Sequence, residues 1–297
     1  HARTGTGEVE MKATVMRTFR AVVCATALAP LGALAAGAEL HLDRAPDRSG
    51  DTAALQHGAK LFINYCLNCH GASFMRYNRL RDIGLTEEQI KGSLLFTADK
   101  TGEPMRTALR REEAKRWFGA APPDLSIIAR ARASEFGSGA DWLYTYLRGF
   151  YRDESRPTGW NNSVFANVGM PHVLWELQGG RSFQVEQVRA RSGKGPTGYE
   201  KVVATYDEEG RRTEKVEPLA GADHGEGART DFGPARGGKL DQAEYDAAVA
   251  DLVGFLVFMG EPVAGWRKQL GIYVLIALGV LAVLSYALKR EYWKDVH

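Results

Sequence analysis

Apolar residues first recur at helical spacing in DTAALQHGAKLFINYC, residues 51–66. Leu55, Ala59, Phe62 and Cys66 fall at i, i+4, i+7 and i+11. Asp51 or Thr52 stands in front as a cap, so the spacing predicts a helix. LTEEQIKGSLLF opens on a Thr86–Gln89 capping box and predicts a short helix. LRREEAKRWFG predicts another, stopped by Gly119. In APPDLSIIARARA two prolines break the chain, and Asp124 or Ser126 is the expected cap of the segment after them. GADWLYTYLRGFY sets Trp142, Tyr146 and Phe150 on one stripe. KLDQAEYDAAVADLVGFLVFMG opens with Asp241 and Glu244 as a capping box and carries Tyr245, Val249, Leu252, Leu256 and Met259 on its apolar side. One stretch changes period: two alternating runs flank Glu209-Gly210, which predicts a β-hairpin followed by a Gly-rich loop.

Two apolar segments fall outside this globular pattern. From Met11 to Ala38 a start with Lys12, Arg17 and Arg20 leads into an apolar run that ends on Ala36-Gly37-Ala38. That is the pattern of a secretory signal peptide, removed on export. The ten residues before Met11 do not fit it, and translation is expected to begin at Met11 or Met16. The second segment, residues 270–288, has 19 residues and no charge. At about 1.5 Å per residue it nearly matches a hydrocarbon core of roughly 30 Å. Trp266, Tyr286, Tyr292 and Trp293 lie near its ends, as interfacial aromatics do. The expected order is an extension and signal peptide at 1–38, an exported domain at 39–265, a transmembrane helix at 266–290 and a cytoplasmic tail at 291–297.

Composition adds little until it is split. Hydrophobic residues make up 44% and charged residues 25% of the chain, enough for a packed core. Residues 39–270 carry 31 basic and 32 acidic side chains. The body has no basic excess to suggest nucleic acid. Acidic residues of the hairpin region, Asp207, Glu208, Glu209, Asp223 and Glu226, are interleaved with Lys and Arg, which weakens any case for them as a lure for a basic partner.

Cysteine usage sharpens the chemistry. Cys24 leaves with the signal, so the mature chain keeps Cys66 and Cys69, in the pattern C-x-x-C-H with His70. Such a pair can form a disulfide in an oxidising compartment. Half a zinc site would need two further clustered ligands, and the histidines at 41, 57, 172 and 224 are scattered. A thioredoxin-like dithiol would want a βαβ setting, whereas this one comes after a helix. Covalent haem attachment needs two thiols for thioethers and a following histidine as axial ligand, and this reading is preferred. One haem c is expected.

A haem iron held by His70 has a sixth position. Met75 is too near in sequence, Met105 sits in a polar loop, and Met259 belongs to the last apolar helix. Met170, in NVGMPHVL between Gly169 and Pro171, is the preferred ligand. His172 is its competitor, since two imidazoles also close an iron. The element order is a first helix, the haem clamp, short middle helices, a Met loop and a long last helix. The expected fold is therefore mainly α: a class I c-type cytochrome with a β-hairpin and loop insertion at about 181–238 and one C-terminal transmembrane helix.

The chain also resembles a known family. C-x-x-C-H at 66–70, PPDLSIIARAR at 122–132, DWLYTYLRGFY at 141–151, GWNNSVFANVGMPHVLWELQGG at 159–180 and FMGEP before the membrane helix resemble cytochrome c1, the haem subunit of the cytochrome bc1 complex. The resemblance implies that Cys66 and Cys69 are the thioether cysteines, His70 the proximal and Met170 the distal ligand. It further implies that Arg132 contacts a haem propionate, that Pro123 packs against the haem, and that Tyr77 lies near it. It implies a quinol-oxidising complex, expected to be dimeric, in a bacterial inner membrane. Cytochrome b and a Rieske iron–sulfur protein would be the neighbours, with a soluble periplasmic cytochrome c or similar carrier as acceptor. Its enzyme role would be electron transfer alone. Two departures stand out: Pro171 is succeeded by His172 rather than by more prolines, and Trp142 stands where a Tyr is more usual.

Overall fold

The computed structural model of the chain describes residues 40–190, 198–219 and 227–294. The expected signal peptide, parts of the insertion and the end of the tail lie outside the described residues.

Helix α1 spans Thr52–Leu61, and Asp51 caps it by accepting from the Ala54 amide. Its last turn widens into a π-helical turn over Phe62–Cys66, where Leu67 N–H donates to the Phe62 carbonyl at 3.0 Å. Such widenings recur at functional sites, and here one delivers Cys66 directly into the C-x-x-C-H loop. Strand β1 (Ala72–Arg76) then pairs antiparallel with β2 (Pro104–Met105). Between them run a 3₁₀ helix over Tyr77–Ile83 and helix α2 (Glu87–Ser93), which has the expected Thr86–Gln89 capping box. Helix α3 (Arg111–Phe118) stops at Gly119, whose φ of +78° is the left-handed conformation that glycine adopts without strain.

The two long core helices explain most of the packing. Helix α7 (Gln242–Gly260) crosses α1 so closely that a Cβ on Gly58 would sit 2.1 Å from the Asp251 carbonyl oxygen. Phe62 and Phe255 meet across that crossing, with ring centroids 5.7 Å apart. Helix α5 (Gly139–Arg148), capped by Ser138 and Asp141, packs on α7 as well. Its terminal Arg148 clamps the arrangement: Nε and an Nη donate to Asp246 on α7 at 2.6 and 3.0 Å, and the other Nη donates to Asp43 at 2.8 Å. This paired geometry is the strong form of an arginine–carboxylate contact.

Two sequence expectations need correction. The helix after the two prolines, α4, is only Ile128–Ala131, and neither Asp124 nor Ser126 caps it. Asp124 instead accepts from Ser73 and Ser126. The insertion is also more than a hairpin. The expected pair exists as β7 (Tyr199–Tyr206) and β8 (Arg212–Leu219), paired over eight residues around the turn at Gly210. It is half of a four-stranded antiparallel sheet in the order β8-β7-β6-β9, with β6 at Phe183–Ala190 and β9 at Gly227–Phe232. Shorter strand pairs form separate two-stranded sheets: β3 (Phe150–Arg152) with β4 (Trp160–Asn162), and β5 (Gly179–Gly180), which follows the one-turn helix α6 (Trp175–Gln178), with β10 (Arg236–Gly237). The chain is therefore less purely helical than its periodicity suggests. Strand β6 buries mainly Phe183, stacked on Tyr151 at 4.1 Å, and β9 is exposed along most of its length. Backbone pairing rather than apolar burial holds these strands, so they leave no alternating signal.

The last helix, α8 (Ala264–Tyr292), has 29 residues and a mean hydropathy of 2.3 over its most apolar window. It is long and apolar enough to cross a membrane, and none of its residues is buried.

Candidate functional site

A cavity of about 330 Å³ opens among the C-x-x-C-H turn at 65–70, α4, α5, α7 and the loops at 118–125 and 165–173. That is within the ~300–1,000 Å³ range of cofactor pockets. Its walls are apolar: Leu125, Ile128, Leu143, Leu147, Leu252 and Leu256 contribute from four segments. Cys66, Cys69, His70, Pro123, Arg132 and Met170 all line it. Tyr77 does not. Its ring is fully buried in the core, and its hydroxyl lies 2.9 Å from Thr97 Oγ1.

The histidine is fixed by the main chain. His70 Nδ1 lies 2.7 Å from the Pro123 carbonyl oxygen. A carbonyl can only accept, so Nδ1 carries the proton and Nε2 keeps its lone pair. Burial lowers the His70 pKa, partly opposed by that hydrogen bond and by Asp124, so the ring is held neutral. The loop that presents Pro123 is pinned in turn. Asp124 accepts from Ser73 N–H at 2.8 Å, Ser126 N–H at 2.9 Å and Ser126 Oγ at 2.5 Å, and Leu125 N–H donates to Gly71 at 2.8 Å. Those donors hold the Asp124 carboxyl below its ordinary value against the opposing effect of burial.

The two thiols differ. Burial and the neighbouring Cys69 push the Cys66 thiol up to about 12, while Cys69 is partly exposed and raised less. Neither is in a disulfide. Among the described residues no three His, Cys, Asp or Glu side chains are grouped to hold a metal ion.

Met170 and His172 face different surroundings. The Tyr146 hydroxyl donates to Met170 Sδ at 3.4 Å. Burial raises the pKa of that phenol, which keeps it a donor. Tyr146 stacks on Trp142 at 4.7 Å and meets Phe150 edge-on at 5.1 Å, so the predicted aromatic stripe backs the methionine. His172 does not line the cavity. It is buried between Phe150, stacked at 4.9 Å, and Trp160, edge-on at 5.0 Å. Its Nε2 is 2.7 Å from Gln178 Oε1, and desolvation lowers its pKa to about 3.

Arg132 sets a guanidinium at the cavity, 4.4 Å from the Trp142 ring centroid and 6.0 Å from that of Phe165. Among the described residues it has no carboxylate partner. Arg130, two positions earlier, pairs with Glu261. Periodicity alone does not single out Tyr146, Phe165 or Val168 as lining residues, although the stripe in GADWLYTYLRGFY points to the first.

The sequence profile of the Cytochrome C1 family matches residues 44–186 and 240–296. The chain belongs to the cytochrome c1 family. The unmatched interval holds most of the four-stranded sheet. A relative from Nitrosomonas europaea, named ammonia monooxygenase gamma subunit, is 44% identical over 95% of this chain and 100% of its own length. Cytochrome c1 of Allochromatium vinosum is 41% identical over 91% of this chain and 96% of its own. Cytochrome c1 of Rhodospirillum rubrum is 26% identical over 83% of each. Cytochrome c1 is an electron-transfer haem subunit of bc1 complexes, and membership implies a covalently bound haem c. The residues of this cavity fit that group: two unpaired thiols, an imidazole with its Nδ1 already engaged, a thioether, apolar walls and an arginine without a carboxylate.

Proposed function

We propose that this chain is the haem-bearing exit subunit of a quinol-oxidising bc1 complex, taking single electrons from a Rieske iron–sulfur protein and passing them to a soluble periplasmic carrier. The observation that carries the reading is one apolar cavity shared by Cys66, Cys69, His70 and Met170, the last two lying 100 positions apart in sequence.

When bound, the haem supplies a one-electron couple. Everything else falls to the chain. Cys66 and Cys69 would hold the macrocycle through thioethers. His70 would ligate through Nε2, its ring oriented by Pro123. Met170 would close the sixth position, and a thioether there raises the potential. Arg132 would offset a propionate charge. The leucine walls would exclude water from a bound haem and so limit reorganisation and side chemistry. His172, engaged with Gln178, is not in this scheme. Tyr77 would act only by supporting the core behind the site.

In this reading the domain at 39–265 is exported, the helix at about 266–290 anchors it in the bacterial inner membrane, and the tail stays inside. Cytochrome b and the Rieske protein are the membrane neighbours, and the complex is a dimer. The name of the Nitrosomonas europaea relative supports a second reading, a subunit of an ammonia monooxygenase assembly. The two are separated by what co-purifies. A tagged chain is drawn from detergent-solubilised membranes, reduced-minus-oxidised spectra are recorded, and a quinol is added. The bc1 reading expects b and c haems together, with the c haem reduced in a step that needs the iron–sulfur protein. A c haem alone, left oxidised by quinol, overturns it.

A further inference from the structure

A second cavity, about 340 Å³ and open at the surface, lies beside Cys69. Cys69 lines both it and the apolar cavity. The groove is mixed in character, with more polar lining than the apolar cavity. Ser73, Thr107 and Asp124 line it, and Arg106 and Arg111 stand at its walls. We propose that this groove receives the acidic face of a soluble electron acceptor. The inference rests on the haem reading above.

The charges are the first argument. Some cations of the body are paired locally, Arg79 with Asp82, Arg110 with Glu113, Arg130 with Glu261 and Lys91 with Glu87, while Lys115 and Arg116 on α3 have no carboxylate partner among the described residues. Arg106 and Arg111 are exposed, and among the described residues neither has a carboxylate partner. The one acid of the groove, Asp124, already accepts from Ser73 and Ser126 through both its oxygens. The groove therefore offers two uncommitted positive charges beside one negative charge that is already held. The body as a whole is balanced at 31 basic and 32 acidic residues over 39–270, so the attraction is a property of this face and not of the chain.

Rigidity is the second argument. The loop that carries Arg106 is tied to the C-x-x-C-H turn: Met105 pairs with Ala72, and Thr107 Oγ1 donates to the Asn68 carbonyl at 2.7 Å. Ala114, the buried residue of α3, lines the same groove as Arg111. A partner docked on both arginines would lie against the thioether side at Cys69. There the acceptor's oxidised metal centre gains one electron from the reduced haem, and no bond or proton need move. Several acidic residues of the added sheet are paired locally: Asp207 and Glu209 with Arg211, Glu214 with Arg212 and Glu217 with Lys215.

The test uses the full chain in detergent with its haem absorption recorded first. Two probes are bound to it at low ionic strength: a small basic c-type cytochrome, and the same protein with its lysines succinylated. The wild-type chain is expected to bind the succinylated form more tightly, with affinity falling as salt rises. Arg106→Glu with Arg111→Glu should weaken that binding by at least about fivefold, whereas Arg229→Glu with Arg236→Glu, the same charge change on the insertion, should alter it by less than about twofold. Preference for the basic probe by the wild-type chain overturns the proposal, as do two double variants that behave alike. A wild-type chain without haem absorption overturns the haem reading itself, and this proposal with it.

Discussion

The Pro123 carbonyl oxygen accepts from His70 Nδ1 at 2.7 Å, across 53 positions of sequence. The family resemblance gives the proline a role as a ring packed on the cofactor. Its main-chain oxygen also acts, by fixing the tautomer and the orientation of the histidine. Contacts made to the far side of a ligating ring decide how well that ligand is presented.

The contact depends on the loop, and the loop depends on Asp124. Asp124→Ala removes three hydrogen bonds from Ser73 and Ser126. Because the residue is largely exposed, the expected loss of stability is about 1–2 kcal/mol rather than the full sum. Chemical denaturation of the holoprotein measures it. The His70 ring should also become less uniformly oriented, broadening the ferric haem resonance signals. Unchanged stability and line shape would remove the loop from the account.

The first and last helices, two capping boxes and the C-x-x-C-H loop were legible because each rests on short-range chemistry or on a period of 3.6. Asp51, Thr86 and Asp241 cap where the sequence put them. The stripe through Trp142, Tyr146 and Phe150 was also readable, because an amphipathic helix must turn one face inward. Other features were not. The π-helical turn at Phe62–Cys66 adds one residue to a turn without changing composition. Strands β6 and β9 are held by backbone pairing on largely solvated faces. Tyr77 illustrates the opposite limit: a buried aromatic near the motif in sequence supports the core and does not line the cavity.

Met170 and His172 are two residues apart and have separable roles. Met170→Leu should lower the reduction potential and let the ferrous protein bind carbon monoxide, because it opens the sixth position. His172→Gln should leave carbon monoxide binding absent. Carbon monoxide difference spectra of both variants provide the check. Ligand binding in the His172 variant and none in the Met170 variant would exchange their assignments.

His172 carries its own pH signature. Desolvation lowers its folded pKa from the ordinary 6.5 to about 3. Between those values the unfolded chain binds a proton that the folded chain excludes. Stability from this group is complete above about 6.5 and is lost as pH falls toward about 3, with a slope of up to about 1.4 kcal/mol per pH unit. Denaturation midpoints of wild type and His172→Gln measured from pH 7 to pH 4 should converge as pH falls. Parallel curves would show that the ring is hydrated in the folded protein.

Arg132 sets a positive charge at the cavity without a carboxylate of its own. Arg132→Gln should lower the reduction potential, since the lost charge had disfavoured the oxidised, more positive state. Arg132→Lys should restore it only in part, because an ammonium cannot reproduce a guanidinium laid on the Trp142 ring. A redox titration of the three proteins checks the order. Equal potentials would place the guanidinium outside the field of the haem.

The central claim is that one cavity holds one haem through Cys66 and Cys69. Intact-mass measurement of the denatured mature chain tests it most directly, alongside Cys66→Ala and Cys69→Ala. The account predicts a wild-type mass equal to the polypeptide plus one haem that survives denaturation, and loss of that stable addition when both cysteines are replaced. A wild-type chain at the bare polypeptide mass, or one that keeps its haem without either cysteine, would contradict it.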